Sequence, residues 1–386
     1  MANAAAGQSA PQAGGTSQAG AASANPFWEV TNLFSQPNKS GSTAATILTT
    51  STVAGGSNIN PGNFLRGLRL VVRTTTAGSN ATTAGVAYQD FPYNLLQNVG
   101  LLNVDGSEII YNVLGGYAVQ QSHRFGRPWL QDPNLAYDFS SSAIAPSFTL
   151  FLQPEVRQQL GCLENTDTRS QYNWTQTINS STNCYLTSPG TLPTIAITPY
   201  VDMWAQPDNS DLEMVPNQQV PNGVNLQTKL RHQTYTLNGA GSDNFLLSSL
   251  TGNAIRFALL ILRDSNQQRQ DFMAANVQWQ LDQRNLSTFA AATGSPLSAP
   301  DIIFQWAEDF YRYYGGVTRP QGVYPFPRFY SPGSLLGQGW LYTANSTALS
   351  WEFNTTSVAA NTPGTTELLQ EEVYATGPVD PSLIDL

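Results

Sequence analysis

Short apolar runs punctuated by Pro and Gly recur along this chain in two rounds of about 150 residues. They predict an all-β fold: two tandem eight-stranded jelly-roll β-sandwiches, each with a short helix in a connecting loop. Both rounds follow one plan, in which many strands are followed by a late helix and then by closing strands. The halves share this pattern rather than their residues. An apolar content of 41% and an aromatic content of 11% over 386 residues supply the core that two sandwiches need.

In the first round, "NFLRGLRLVVRTTT" alternates Leu65, Leu68 and Leu70 imperfectly with Arg66, Arg69 and Arg73, and reads as a strand. "GVAYQDF" follows as a second. "NLLQNVGLLNVDGSEII" reads as a hairpin whose Asp105-Gly106 pair suits a two-residue turn with positive φ. "NVLGGYAVQQSHRFG" predicts a short helix after Gly116. "SFTLFLQP" is an apolar strand ended by Pro154, residues 161–190 read as a long polar loop, and "TLPTIAITPYVDMW" closes the round. In the second round, "QTYTL", "NAIRFALLILRD" and "NVQWQLD" read as strands. "SAPDIIFQWAEDFYRYYGG" predicts a helix over 301–314. Ser298 or Asp301 caps it, Pro300 sits in its first turn, Gly315-Gly316 stops it, and Ile303, Trp306 and Phe310 share a face. "GVYPFPRFY", "GQGWLYTANSTALSWEFN" and "TELLQEEVYATG" supply the last strands.

These readings divide the chain into five parts: a flexible N-terminal arm over 1–38, a first jelly roll over 39–205, a Pro-containing linker over 206–232, a second jelly roll over 233–360, and a C-terminal strand and tail over 361–386. Ten of the first 25 residues are Ala and four are Gly, a composition that cannot form a core. "PFWEVTNLF" then gathers Phe27, Trp28, Leu33 and Phe34 at near-helical spacing. Glu29 is the only charged side chain in the first 38 residues. Left exposed, these four apolar residues would invite aggregation, so they are candidate contacts to a subunit or to a membrane. The absence of basic residues favours protein over anionic lipid.

Charged residues make up only 11% of the chain, against roughly 25% in typical globular domains. With a net charge of −9 and no basic stripe, direct nucleic-acid binding is not expected. Lys39 and Lys229 are the only lysines, so Arg carries nearly all the positive charge; subunit contacts made by Arg forks and simple codon bias both account for that. No stretch approaches the roughly 18 apolar residues of a membrane span, and the N-terminus lacks the basic and apolar regions of a signal peptide.

No constellation for catalysis, cofactor or metal stands out, and the chain is not expected to be an enzyme. Glu308-Asp309 are adjacent on a helix and point different ways. Glu371-Glu372 fall on opposite faces of a strand, whereas glycoside hydrolysis needs two facing carboxylates. G-x-S-x-G and phosphate-loop motifs are absent. Cys162 and Cys184 are too few for a zinc site; their spacing permits a disulfide but suits free buried thiols. The aromatics of "FYRYYGG" and "VYPFPRFYSPG" fit a sandwich core, a subunit contact or a sugar-stacking platform.

The order of these pieces resembles the double jelly-roll major capsid protein of tailless, lipid-containing icosahedral phages, the tectivirus type. "DFPYNLLQNVGLLNVDG", "LGGYAVQQSHRFGRPWL", "RPQGVYPFPRFYSPGSLLGQGWLYTANSTALSWEF" and "TELLQEEVYAT" carry the likeness in family order, over about a third of the chain. The arm departs from it, being almost uncharged where the family has an amphipathic helix. The resemblance implies a homotrimer whose paired rolls form a pseudo-hexagonal capsomer of a virion capsid. It also implies penton and minor capsid proteins as partners, and chain termini beside an internal membrane. The rival reading is a secreted two-domain carbohydrate-binding or glycan-cleaving β-sandwich protein, which accounts for the aromatics and the acidity.

Overall fold

The computed structural model describes residues 35–37, 43–46, 52–59, 61, 64–132, 134–135, 143–156, 161–204, 226–238, 241–247, 253–272, 277–281, 284–289, 319–329, 339–343, 349–355 and 363–375. The first half contains β1 (Ser35–Pro37), β2 (Thr43–Thr46), β3 (Val53–Asn58), β4 (Phe64–Thr76), β5 (Val86–Ala87), β6 (Leu96–Leu102), β7 (Glu108–Leu114), helix α1 (Gly116–Gly126), β8 (Ser147–Leu152), β9 (Leu163–Glu164), β10 (Asn173–Ile178), the short helix α2 (Ser181–Cys184), β11 (Tyr185–Thr187) and β12 (Thr194–Trp204). The second half contains β13 (Leu226–Thr236), β14 (Gly241–Leu247), β15 (Ala254–Asp264), β16 (Val277–Leu281), β17 (Arg284–Phe289), β18 (Val323–Pro327), β19 (Leu341–Tyr342), β20 (Leu349–Thr355) and β21 (Pro363–Ala375).

The pairing gives both halves one topology. In the first, one sheet runs β2-β12-β4-β8 and the other β3-β10-β6-β7. In the second, the sheets run β13-β21-β15-β18 and β14-β20-β16-β17. Numbering the eight principal strands within each half gives the order 1-8-3-6 facing 2-7-4-5 both times, and that order is the jelly roll. A parallel contact between Leu230 of β13 and Ile110 of β7 joins a sheet of each roll into one nine-stranded sheet. Among the described residues, one buried apolar cluster likewise includes residues of both rolls, from Ile59 through Trp174 to Val373.

Most predicted strands fall where their alternation places them, and α1 starts at Gly116. Four expectations are corrected. Residues 161–190 are not a long loop: they contain β10, a central strand paired to β3 and β6. In β10, Trp174, Gln176 and Ile178 point inward and Asn173, Thr175 and Thr177 lie further out. This period of two is hidden from an apolar count because a Gln occupies the middle inward position. The linker predicted over 206–232 is shortened, since β13 already begins at Leu226; Thr228, a polar residue in that strand, is buried with its hydroxyl donating to Pro154 O at 2.6 Å. The strand read in "GVAYQDF" shrinks to the two residues of β5. The Asp-Gly turn is one residue longer than expected. Asn103 N–H donates to Ser107 O and Gly106 N–H donates to Asn103 O, leaving a three-residue loop in which Gly106 takes the left-handed conformation at φ +81°. The helix predicted over 301–314 lies outside the described residues, in the connection between β17 and β18. That connection joins the fifth and sixth strands of the second roll, the position α1 holds in the first.

Candidate functional site: the seam between the two rolls

Two clusters of buried charged residues lie where the rolls meet. α1 ends at Arg127, whose guanidinium is buried and grips Glu371 of β21 with both terminal nitrogens at 2.9 Å. Its remaining donors go to Glu155 O at 3.0 Å and Pro154 O at 3.1 Å. Glu371 also accepts from Arg256 Nη1 at 3.1 Å, and Arg256 Nη2 reaches Gly126 O at 2.7 Å. Arg256 sits in β15 where the register against β21 slips between Ile255 and Phe257, a bulge that admits an extra residue. Its guanidinium lies 4.6 Å from the centre of the Phe329 ring. Gly126 leaves little room here: a Cβ would stand 3.1 Å from Glu371 Oε2, which would have to give by a few tenths of an ångström. Burial pushes the Glu371 carboxyl up, and Arg127 and Arg256 more than reverse that, holding it below the ordinary carboxylate range.

A second cluster completes the seam. Asp90, in the first roll, accepts from Arg263 Nη1 and Arg269 Nε of the second, both at 2.6 Å. Arg269 also donates to Gln89 O and to Gln321 O, and its guanidinium lies over the Tyr117 ring. Arg263 Nε reaches Glu367 Oε1 at 2.6 Å, and His232 Nε2 lies 3.4 Å from Glu367 Oε2. Burial raises the Glu367 carboxyl, but Arg263 and His232 outweigh it and hold the group at about 2. A cavity of about 340 Å³ opens beside this cluster, with Asn94, Tyr117, Arg263 and Glu367 in its wall.

His123 on α1 is 1% exposed and uses both ring nitrogens. Nδ1–H donates to Val119 O at 3.0 Å, and Nε2 accepts from Gln153 N–H at 3.1 Å, which fixes the neutral ring. Burial, followed by the Arg127 charge, pushes its pKa down to about 4.

Phe27, Trp28, Leu33 and Phe34 lie outside the described residues. The next residue, Ser35, opens β1, which pairs with β12 through Ser35–Asp202, Gln36–Val201 and Pro37–Tyr200. Glu308, Asp309 and the aromatics Phe310 to Tyr314 lie outside them as well. Among the described aromatics, Tyr324, Phe326 and Phe329 are buried in the second roll, and the Tyr324 hydroxyl donates to Asp271 at 2.8 Å. Cys162 and Cys184 are both free and buried. Glu371 and Glu372 take separate partners, Arg127 and Arg256 for the first and Arg231 and Asn253 for the second, as alternation along a strand requires. Sequence reasoning missed the seam. Its one legible signal was Arg256, a charge inside the apolar run "AIRFALLILRD", where an Arg must find a buried partner.

Among the described residues, no group of three or more His, Cys, Asp or Glu gathers as a metal site would. No protein-family model and no curated protein matches the sequence. Solved structures do match. The structure of Sulfolobus Turreted Icosahedral Virus aligns at TM-score 0.60 and 12% identity, covering 89% of this chain and 90% of that one. The STIV MCP aligns at TM-score 0.59 and 11% identity over 89% and 96%. The PBCV-1 virus capsid aligns at TM-score 0.52 and 12% identity over 89% and 95%. Strand order, sheet pairing and these matches agree: the chain has the double jelly-roll fold.

Proposed function

We propose that the chain is the major capsid protein of an icosahedral virion, built to assemble rather than to catalyse. The observation that carries this is the pairing of two topologically identical rolls by one continuous sheet and two buried ion clusters. Such a chain is a rigid unit with two near-equivalent faces. Closed three-fold symmetry then sets six rolls around one axis, giving a pseudo-hexagonal capsomer that tiles a lattice. The chain's charge also fits: four arginines, with Asp90, Glu367 and Glu371, are used inside the seam, and interface cores are depleted in charge. Solved structures that share the fold include the STIV MCP and the PBCV-1 virus capsid. The carbohydrate-binding alternative loses ground because Tyr324, Phe326 and Phe329 are core residues and offer no stacking face.

Light scattering on the purified protein should give three times the 41.8 kDa of the chain. A stable monomer at micromolar concentration would refute the capsomer reading. In the assembled particle the same reading places penton and minor capsid proteins around the capsomers and an internal membrane beneath the termini. It assigns Phe27, Trp28, Leu33 and Phe34 to a subunit contact, reached because β1 already ties the arm to β12. Deleting residues 1–25 should leave a trimer and alter shell assembly. Proteases that do not require Lys or Arg should stop near Asn25 in intact particles; free cleavage between Phe27 and Phe34 would end that assignment.

A further inference from the structure

The segment Gln153–Pro154–Glu155, just after β8, is the joint at which the two rolls are pinned. From the first roll, His123 and Arg127 hold its backbone, and Arg66 Nε bonds Glu155 Oε2 at 2.6 Å. From the second roll, Thr228 bonds Pro154 O, while Glu371 anchors the same Arg127 that binds residues 154 and 155. His123 is the one member of this joint whose hydrogen bond requires it to be uncharged. Its Nε2 is an acceptor, and a proton there would point at the Gln153 N–H, setting donor against donor across 3.1 Å.

The charges facing His123 make that proton worse. Arg127, the residue that caps the end of α1, is the charge that opposes it, and β15, also packed on α1, brings Arg256. Glu371 from β21 favours the proton, but its carboxylate is already committed to Arg127 and Arg256, and Glu155 after β8 is bonded to Arg66. Among the other elements packed on α1, β6 and β8 carry no charged residue. β18 carries only Tyr324, which is bonded to Asp271. Among the described residues, a protonated His123 would therefore find no uncommitted carboxylate.

We infer that His123 is an acid-triggered latch: protonation of Nε2 breaks the Gln153 bond and loosens the segment after β8 from α1 at residue 153, next to the Pro154 carbonyl that Thr228 of the second roll binds. The direction follows from linkage. Freed from the joint, the imidazole returns to its ordinary pKa near 6.5, while the closed joint holds it at about 4. Each pH unit lost within that window favours the open joint about tenfold, and outside it the effect levels off. The Glu367 carboxyl, held at about 2, does not titrate in this range.

The test uses the full chain between pH 7.5 and 3.5, with amide hydrogen exchange read at Gln153. In the wild type, exchange there should rise about tenfold per pH unit below 6.5, after correction for the intrinsic rate. His123→Gln keeps an acceptor and cannot be protonated, so its acid midpoint for opening should fall by at least about one pH unit. An unchanged midpoint would overturn the inference. Should that variant fail to fold, deuterium exchange at the imidazole carbon of wild-type His123, read by mass spectrometry, decides the matter. The latch requires His123 to take up its proton in the same pH range as the backbone at Gln153 opens; opening with His123 still neutral would refute it.

Discussion

Glu371→Ala should destabilise the protein by about 3–5 kcal/mol, the cost of breaking a buried ion cluster by removing one partner. The variant removes the carboxylate that Arg127 and Arg256 share, and both guanidinium groups touch the first roll, through Pro154, Glu155 and Gly126. Calorimetry should show the wild type melting in one transition, because core and sheet run through both rolls. In Glu371→Ala the transition should move down and broaden as the rolls lose their common anchor. Replacing all three residues together, as Arg127→Met, Glu371→Leu and Arg256→Met, should recover much of the loss, because the cost lies in the stranded charges and not in the missing attraction. A loss below about 1 kcal/mol for Glu371→Ala would mean that water reaches the cluster and that the seam is not held by it.

Trp174→Ala should cost a similar amount, about 3–5 kcal/mol, for a different reason. Trp174 is fully buried in β10, opposite Ser57 of β3 and Leu101 of β6. Truncation removes the largest fully buried side chain of the described residues and leaves a cavity lined by strands that cannot collapse without losing register. Denaturant unfolding should give a lower midpoint with the slope unchanged, since the folded surface is the same. No charge is stranded, so the loss should not depend on pH between 7 and 5, whereas any change at His123 should. A loss under about 1 kcal/mol would show that β10 is not the core strand described above.

The sequence by itself determined the strands and much of their order. In β4, β8, β12, β15, β18 and β21, apolar runs between Pro and Gly mark strands through local preferences that act over a few residues. α1 was legible in the same way, as a short helix after Gly116. Where inward positions are polar, the local signal fails. Gln176 hid β10 inside a predicted loop, and Thr228 hid the start of β13 inside a predicted linker, because a buried polar side chain breaks the apolar period; the partner of Thr228, the Pro154 carbonyl, lies 74 residues away. Only the tertiary structure decided the seam. Arg127 meets Glu371 across 244 residues, and Arg269 meets Asp90 across 179. No pattern of neighbours encodes such a pair; it exists because two separately closed rolls bring one helix end and one strand face together. An Arg and a Glu far apart in the chain become buried partners there, since neither can leave water without the other.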